Sequence, residues 1–266
     1  MESENFENLP IFYDDFVELW QEINGKQKTE NWEEKYTLSC QLLNQSAIHN
    51  NQFVTIFDTL KQEIVFLSDN IKKVLGQNFS KEYYQYHPVL FWVRNGHAKQ
   101  VWFLMKLSLF FRNKLQSIFS KDPLNSTAVW YFHNIKFNNC PNNIGIRGES
   151  LEIAKNGAMR LQMSVMQDVS NYIKDKEIWW AEVKINEHTY FYFTGETNKF
   201  LEGRLFSPRE LEIIKLVSEG KESKEIADLL FLSSHTIDTH RKNILKKSGV
   251  KDFSSLIYIL RLYDSI

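Results

Sequence analysis

The chain has 266 residues, room for two domains, and is 43% hydrophobic, 24% charged and 14% aromatic, the make-up of a globular protein that builds its core from bulky side chains. Its formal net charge is −1, so no whole-molecule basic balance advertises nucleic acid and any such signal has to be local. The two cysteines, Cys40 and Cys140, stand in no ligand spacing, which argues against a disulfide framework or a zinc site.

The first ten residues, MESENFENLP, are acidic and lack the basic and apolar regions of a leader. The strongest apolar run, Val101–Phe111, is interrupted by Lys106 and is far shorter than the roughly 20 residues of a membrane span. A cytoplasmic protein with no membrane partner is expected. Residues 1–50 read as a helical lead, with Phe12, Phe16, Leu19 and Ile23 on one stripe and Trp32, Tyr36, Cys40, Leu43 and Ala47 on another.

The β-branched and aromatic runs Phe53–Phe57 and Glu63–Leu67 flank a polar turn and predict a hairpin. Ser68 is placed to cap a short helix carrying Ile71, Val74 and Leu75 and stopped by Gly76. After His97 a long helix is expected. Val101, Leu104, Met105, Ser108, Phe111, Leu115, Ile118 and Phe119 form one stripe; Trp102, Phe103, Leu107 and Phe110 make the other side apolar too. Such a helix is buried on two sides or carries a partner interface. Asp122-Pro123 ends it. From Thr127 the texture turns strand-like, over Ala128–Phe137, Glu149–Ala154, Met159–Val169, Ile178–Ile185 and Thr189–Phe193, the last two joined as a hairpin. The polar stretch Gly195–Gly203 reads as a linker.

Four helical segments follow. Ser207-Pro208-Arg209-Glu210 combines an N-cap, a proline at the first helical position and the glutamate of a capping box. Leu211, Ile214 and Val217 point inward and Gly220 ends this helix. Ser223 is the expected cap of the second helix, with Ile226, Ala227 and Leu230 inward; Phe231-Leu232-Ser233 makes a tight turn. The third helix, Ser234–Lys247, stops at Gly249, and Asp252 opens a fourth with Phe253, Leu256, Ile257 and Leu260 on one face. Two short helices joined by a tight turn are the device that lays a second helix in the DNA major groove. His235, Asp238, Thr239, Lys242 and Lys246 line the outward face of the third helix, flanked by Arg241, Asn243 and Lys247. Between Ser233 and Lys251 five cationic side chains face one acid, Asp238, a local net charge of +4. That is the footprint phosphate binding requires. Ser233, Ser234 and Thr236 add hydroxyls at a helix N-terminus, where free backbone N–H groups suit a phosphate oxygen. On its own a charged helix face is as readily a solvated face; the surrounding pattern decides between the two.

That pattern, FSPRELEIIKLVSEGKESKEIADLLFLSSHTIDTHRKNILKKSGV, closely resembles the LuxR/FixJ/NarL-type helix-turn-helix family in SPRE, in Glu219-Gly220, in SKEIA, in the run Ser233–His240, and in ILKK followed by Gly249-Val250. The resemblance implies that Ile226 and Ile237 are core and that His240 packs at the helix interface. It implies that Lys224, Ser234, Thr236, Arg241 and Lys242 meet phosphates, and that His235, Asp238, Thr239 and Asn243 face base edges. Lys246 completes the DNA-binding set. The fourth helix resembles the family's dimerisation helix, with Leu256, Ile259 and Leu260 as its contacts. Ser248, where leucine is usual, and Asp252-Phe253, where a polar-Arg pair is common, depart from the pattern.

The preceding part lacks the alternating βα order of a phospho-receiver and the aromatic framework of an acyl-homoserine-lactone domain. Its order of two strands, short helices, a long helix and three strands resembles a PAS domain over residues 51–173. The nearest pieces are IVFLSDNIKKVLG and MSVMQDVSNYI. Haem at His87 or His97 and flavin at Cys140 are both disfavoured, because a lone histidine is more often structural and Cys140 sits on the wrong element. No cofactor or metal is identified, and no GxSxG, HExxH, P-loop or GxGxxG points to an enzyme.

The expectation is an α+β protein. A helical lead (1–50), a PAS-like sensor domain with a C-terminal hairpin (51–195) and a linker (196–202) precede an all-α four-helix LuxR-type helix-turn-helix domain (203–266). Its partners are double-stranded DNA, a second copy of itself and, for the sensor, a small molecule or a protein. The alternative is an interaction protein that no longer reads DNA, which Asp238 on the reading face permits because an acid there repels phosphate.

Overall fold

The computed structural model describes residues 41–59, 63–76, 100–137, 140–197 and 199–263, apart from scattered positions inside those spans. Phe12–Ile23, Trp32, Tyr36, Cys40, His87, His97, Val101, Trp102, Leu104, Met105 and Ser108 lie outside the described residues.

Among the described residues eight antiparallel strands form one sheet. They are β1 (Gln52–Asp58), β2 (Glu63–Leu67), β3 (Ala128–Lys136), β4 (Asn143–Ile153), β5 (Met159–Asp168), β6 (Trp180–Ile185), β7 (Thr189–Thr194) and β8 (Leu201–Glu202), in the spatial order β2-β1-β5-β4-β3-β6-β7-β8. Between β2 and β3 run α1 (Ile71–Leu75) and a helix whose last turns are a π-helical segment, Phe111–Leu115, and α2 (Gln116–Phe119). This is the PAS-like arrangement expected from the element order, with β6, β7 and β8 added to its β3 edge.

The sheet is covered on both faces, so that β1, β3 and β4 are buried at nearly every position. One face, with Phe53, Trp130, Phe132, Ile144, Ile146, Met166, Ala181, Val183 and Phe193, packs against Ile71, Val74, Phe103, Leu107, Leu115 and Phe119. Phe103 sits at the centre, its ring 5.3 Å from Phe132, 5.3 Å from Trp179 and 4.7 Å from Phe193. On the other face Val54, Ile56, Leu161, Met163 and Val165 meet Leu43 and Ala47 of the helical lead. Further along the same face Tyr131 and Trp180 join the core of the C-terminal helices.

Several local expectations are corrected. The cap of α1 is Asn70, not Ser68; the Ser68 hydroxyl donates to the Asn70 side chain (2.9 Å) and accepts from the Val54 N–H (2.9 Å), tying the helix start to β1. β4 begins six residues before Glu149, at Asn143. Its Gly148 reads as a breaker but marks a close approach: a Cβ there would lie 1.9 Å from the Trp130 indole nitrogen. The end of the expected linker 196–202 joins the sheet as β8. Leu201 and Glu202 pair with Tyr192 and Phe191 of β7, and Phe200 stacks on Phe110 at 4.4 Å. The chain then leaves the sheet pinned by buried Glu182, which accepts from the Arg204 guanidinium (3.2 Å) and the Leu205 N–H (3.1 Å).

The C-terminal helices are α3 (Pro208–Ser218), α4 (Ser223–Leu230), α5 (Ser234–Ser248) and α6 (Phe253–Leu262). Ile213, Ile214, Ile226, Ile237, Ile244, Leu256 and Ile259 form their core. Among the described residues no helix is long and apolar enough to cross a membrane.

Candidate nucleic-acid interface

The C-terminal domain is held by reciprocal caps. The Ser207 hydroxyl accepts from the Glu210 N–H and Glu210 accepts from the Ser207 N–H (2.7 Å), closing the capping box at the start of α3. Lys247, near the end of α5, donates to the same Glu210 oxygen (2.9 Å) and so ties the first helix to the third. Helix α4 opens on Glu222, not Ser223, with a second box in which Glu225 accepts from the Glu222 N–H (2.9 Å). Glutamate is a less common cap than serine, which is why the sequence points one residue too far. Phe231 ends α4 in the left-handed region (φ 54°, ψ 44°). The turn is short because the Leu232 N–H reaches back to the Ala227 carbonyl (2.9 Å). Ser233 then caps α5 by accepting from the Thr236 N–H (3.1 Å).

These constraints bury Ile226 and Ile237 completely, half-bury His240, and turn one face of α5 outward. Ser234, His235, Asp238, Thr239, Lys242, Asn243 and Lys246 are all exposed along it, with Lys224 exposed on the neighbouring helix. Thr236 is half-buried; its hydroxyl lies 2.8 Å from that of Ser233. The Thr239 hydroxyl donates to the His235 carbonyl (2.9 Å). Arg241 is placed differently from the rest. Its guanidinium donates to the Ser223 hydroxyl (3.2 Å) and stacks 4.7 Å from the centre of the Phe253 ring. It braces α5 against α4 and α6 and does not stand free on the outward stripe. Neither Lys247 nor Arg241 is recognisable as a brace from helical spacing alone, since their partners lie 37 and 18 residues away.

Residues 204–260 match the family described as "Bacterial regulatory proteins, luxR family". The match covers the C-terminal domain alone. Over 49 residues the chain is 51% identical to the uncharacterized response regulatory protein YgeK of Escherichia coli K12, covering 18% of this chain and 33% of that protein. Over 108 residues it is 45% identical to the transcriptional regulatory protein MctR of Rhizobium johnstonii, covering 36% and 50%. The chain thus spans half or less of the length of these curated relatives. Among solved structures, the phage VqmA–DPO complex is similar at 14% identity and a TM-score of 0.27, over 85% of this chain and 91% of that one.

In this LuxR-type domain both departures from the family pattern have a structural partner. Phe253 provides the ring on which Arg241 stacks. Ser248 is fully buried, and its carbonyl accepts from the Trp180 indole N–H (3.4 Å). The stripe expected to pair two copies is used within the chain: Leu256, Ile259 and Leu260 are 0%, 0% and 2% exposed, in a core shared with Tyr131 and Trp180 of the sheet. Their apolar spacing signals burial correctly, but spacing does not say against what.

Proposed function

We propose that the protein is a sequence-specific transcription regulator that binds double-stranded DNA as a homodimer, its PAS-like domain sensing a small molecule or a protein. The observation that carries this reading is the outward stripe of α5: unobstructed, bearing Lys242, Lys246 and hydroxyl groups, within a stretch, 233–251, whose local net charge is +4 on a chain of net −1. In it Lys224, Ser234, Thr236 and Lys242 hold phosphates, and His235, Asp238, Thr239, Asn243 and Lys246 lie toward the groove. The Asp238 carboxylate suits a cytosine amino group. Arg241 acts from behind, as a brace. We divide the chain into a helical lead (1–50), a sensor (51–202) that takes in the former linker, and a reader (203–266). The test is a titration of promoter DNA at several salt concentrations. A steep fall of affinity with salt and a preference for one sequence over random DNA are expected; salt-independent or absent binding would overturn the reading.

A second reading is favoured by one observation. Phe231 and Leu229, beside the reading helix, are 94% and 54% exposed, more apolar surface than DNA phosphates use. On this reading the domain binds a protein, and the same titration, showing no DNA affinity, would select it.

A further inference from the structure

Between β5 and β6 the chain crosses the end of α5 and makes a set of backbone bonds with it. The N–H groups of Lys174 and Asp175 both donate to the Gly249 carbonyl (2.9 and 3.0 Å). The Lys251 N–H donates back to the Tyr172 carbonyl (3.0 Å), and Ile173 pairs with Val250 as a single antiparallel bridge. The Trp180 indole N–H reaches the Ser248 carbonyl (3.4 Å). The last carbonyls of a helix have no partner inside it and take theirs from water or from a cap. Here the donors come from a different domain.

The side chains around these bonds are matched in size. Trp180 stacks on His133 (4.9 Å between ring centres) and Tyr131 on Tyr263 (5.1 Å), whose hydroxyl donates to the Phe132 carbonyl (3.2 Å). Where the two bodies come closest the residues are small. A Cβ on Gly145 would lie 2.6 Å from the Tyr263 hydroxyl, and one on Gly249 would lie 2.8 Å from the Ile178 Cβ. Ser248 is fully buried at the same place. A leucine there would add volume to a site with none to spare.

We infer that the segment Tyr172–Trp180 is a clamp that caps the C-terminal end of the reading helix and joins sheet and reader into one body, and that Ser248 is the position that admits it. The departure of Ser248 from the family's leucine thereby has a purpose: it exchanges packing inside the reader for contact with the sheet. A reader held this way cannot swing on a tether. Its orientation relative to the PAS-like sheet is set by the clamp.

Hydrogen exchange on the full chain tests this without DNA, so its outcome is separate from that of the DNA-binding reading. In the unsubstituted protein the amides of Lys174, Asp175 and Lys251 should be protected to the same degree as the strands of the sheet. In Ser248→Leu, exchange over 172–176 and 249–252 should quicken by about tenfold or more, while 130–135 and 210–217 keep their protection. Unchanged protection over 172–176 in this variant overturns the clamp. If Ser248→Leu loses protection everywhere, Trp180→Phe decides, because it keeps a ring at the seam and removes only the N–H donor. Local quickening over 172–176 and 249–252 then supports the clamp, and none overturns it.

Discussion

Burial alone would push the Glu210 carboxyl upward, yet the Ser207 N–H, the Lys247 ammonium and the Ser207 hydroxyl together outweigh it and hold the group below its ordinary range. The ionised form is therefore the one the fold prefers. The unfolded chain takes up its proton first as pH falls, so Glu210 stabilises the fold above the ordinary carboxylate value, and that contribution is lost as pH drops through the lower folded value. Glu210→Ala should cost about 0.5–2 kcal/mol at neutral pH, the range for a broken helix cap. Denaturation midpoints of Glu210→Gln and the unsubstituted protein should converge as pH falls below the ordinary carboxylate range; a gap that ignores pH would mean that the charge contributes nothing. His133 works in the same direction from the other side. It is fully buried against Trp180, and desolvation, opposed in part by the Ser248 backbone, lowers its pKa to about 3. The unfolded chain binds that proton near pH 6.5 and the folded chain does not, so stability declines below about 6.5 with a slope of about 1.4 kcal/mol per pH unit for the one proton. His133→Phe keeps the stacked ring and should flatten the slope between pH 6 and 4. An unchanged slope would show that His133 is not the group responsible.

At the level of the helix, Lys242 and Arg241 are neighbours in sequence with opposite expected behaviour. Lys242 is exposed on the outward stripe, so Lys242→Ala should weaken binding to every DNA sequence and reduce the salt slope by about 1 while leaving stability within about 0.5 kcal/mol. Arg241 spans Ser223 and Phe253, so Arg241→Ala should lower the denaturation midpoint and leave the salt slope nearly unchanged. A full unit of slope lost in Arg241→Ala would return it to the phosphate set. The sequence shows that the two lie on one helix; it does not show which of them the fold engages. The same limit recurs elsewhere. Helices α3, α5 and α6, the β1–β2 hairpin and most of β3, β5, β6 and β7 are legible, because their signals are local: caps, periodicity and β-branched runs. The first half of β4 is not, because Gly145 and Gly148 resemble turn residues until Tyr263 and Trp130 are seen lying against them. Nor is β8, whose polar neighbours hide Phe200 and Leu201. The outward stripe of α5 is legible because exposure follows from helical spacing. Its C-terminal end is not, since the donors that cap it come from 68 or more residues upstream.

The whole molecule poses a question that the parts do not. The apolar stripe Leu256, Ile259 and Leu260 would serve to pair two LuxR-type domains, but in this chain it lies in a core closed by Tyr131, Trp180 and Tyr263. Removing residues 1–202 takes away the sheet side of that core. In the fragment 203–266 the carbonyls of Ser248 and Gly249 turn to water, and Tyr258 and Tyr263 lose Tyr172 and Tyr131 as stacking partners. The helices still hold their own caps and the isoleucine core, so the fragment should fold. It should melt well below the full chain and, with apolar area newly exposed, associate with itself more readily. DNA affinity should nevertheless be weaker in the fragment. A reader that occupies two half-sites one helical turn apart needs both reading helices at that spacing, and linking two modest affinities helps only when the geometry lets both engage. In the proposed dimer the clamp would set each reading helix relative to its sheet, and bringing two sheets together would fall to the N-terminal two hundred residues. Sedimentation and DNA titration of both proteins at one salt concentration would measure this directly. A full chain that stays monomeric on DNA, with no more affinity than the fragment, would show that the N-terminal part does not organise the dimer. A fragment as stable as the full chain would show that the sheet adds nothing to the reader's core.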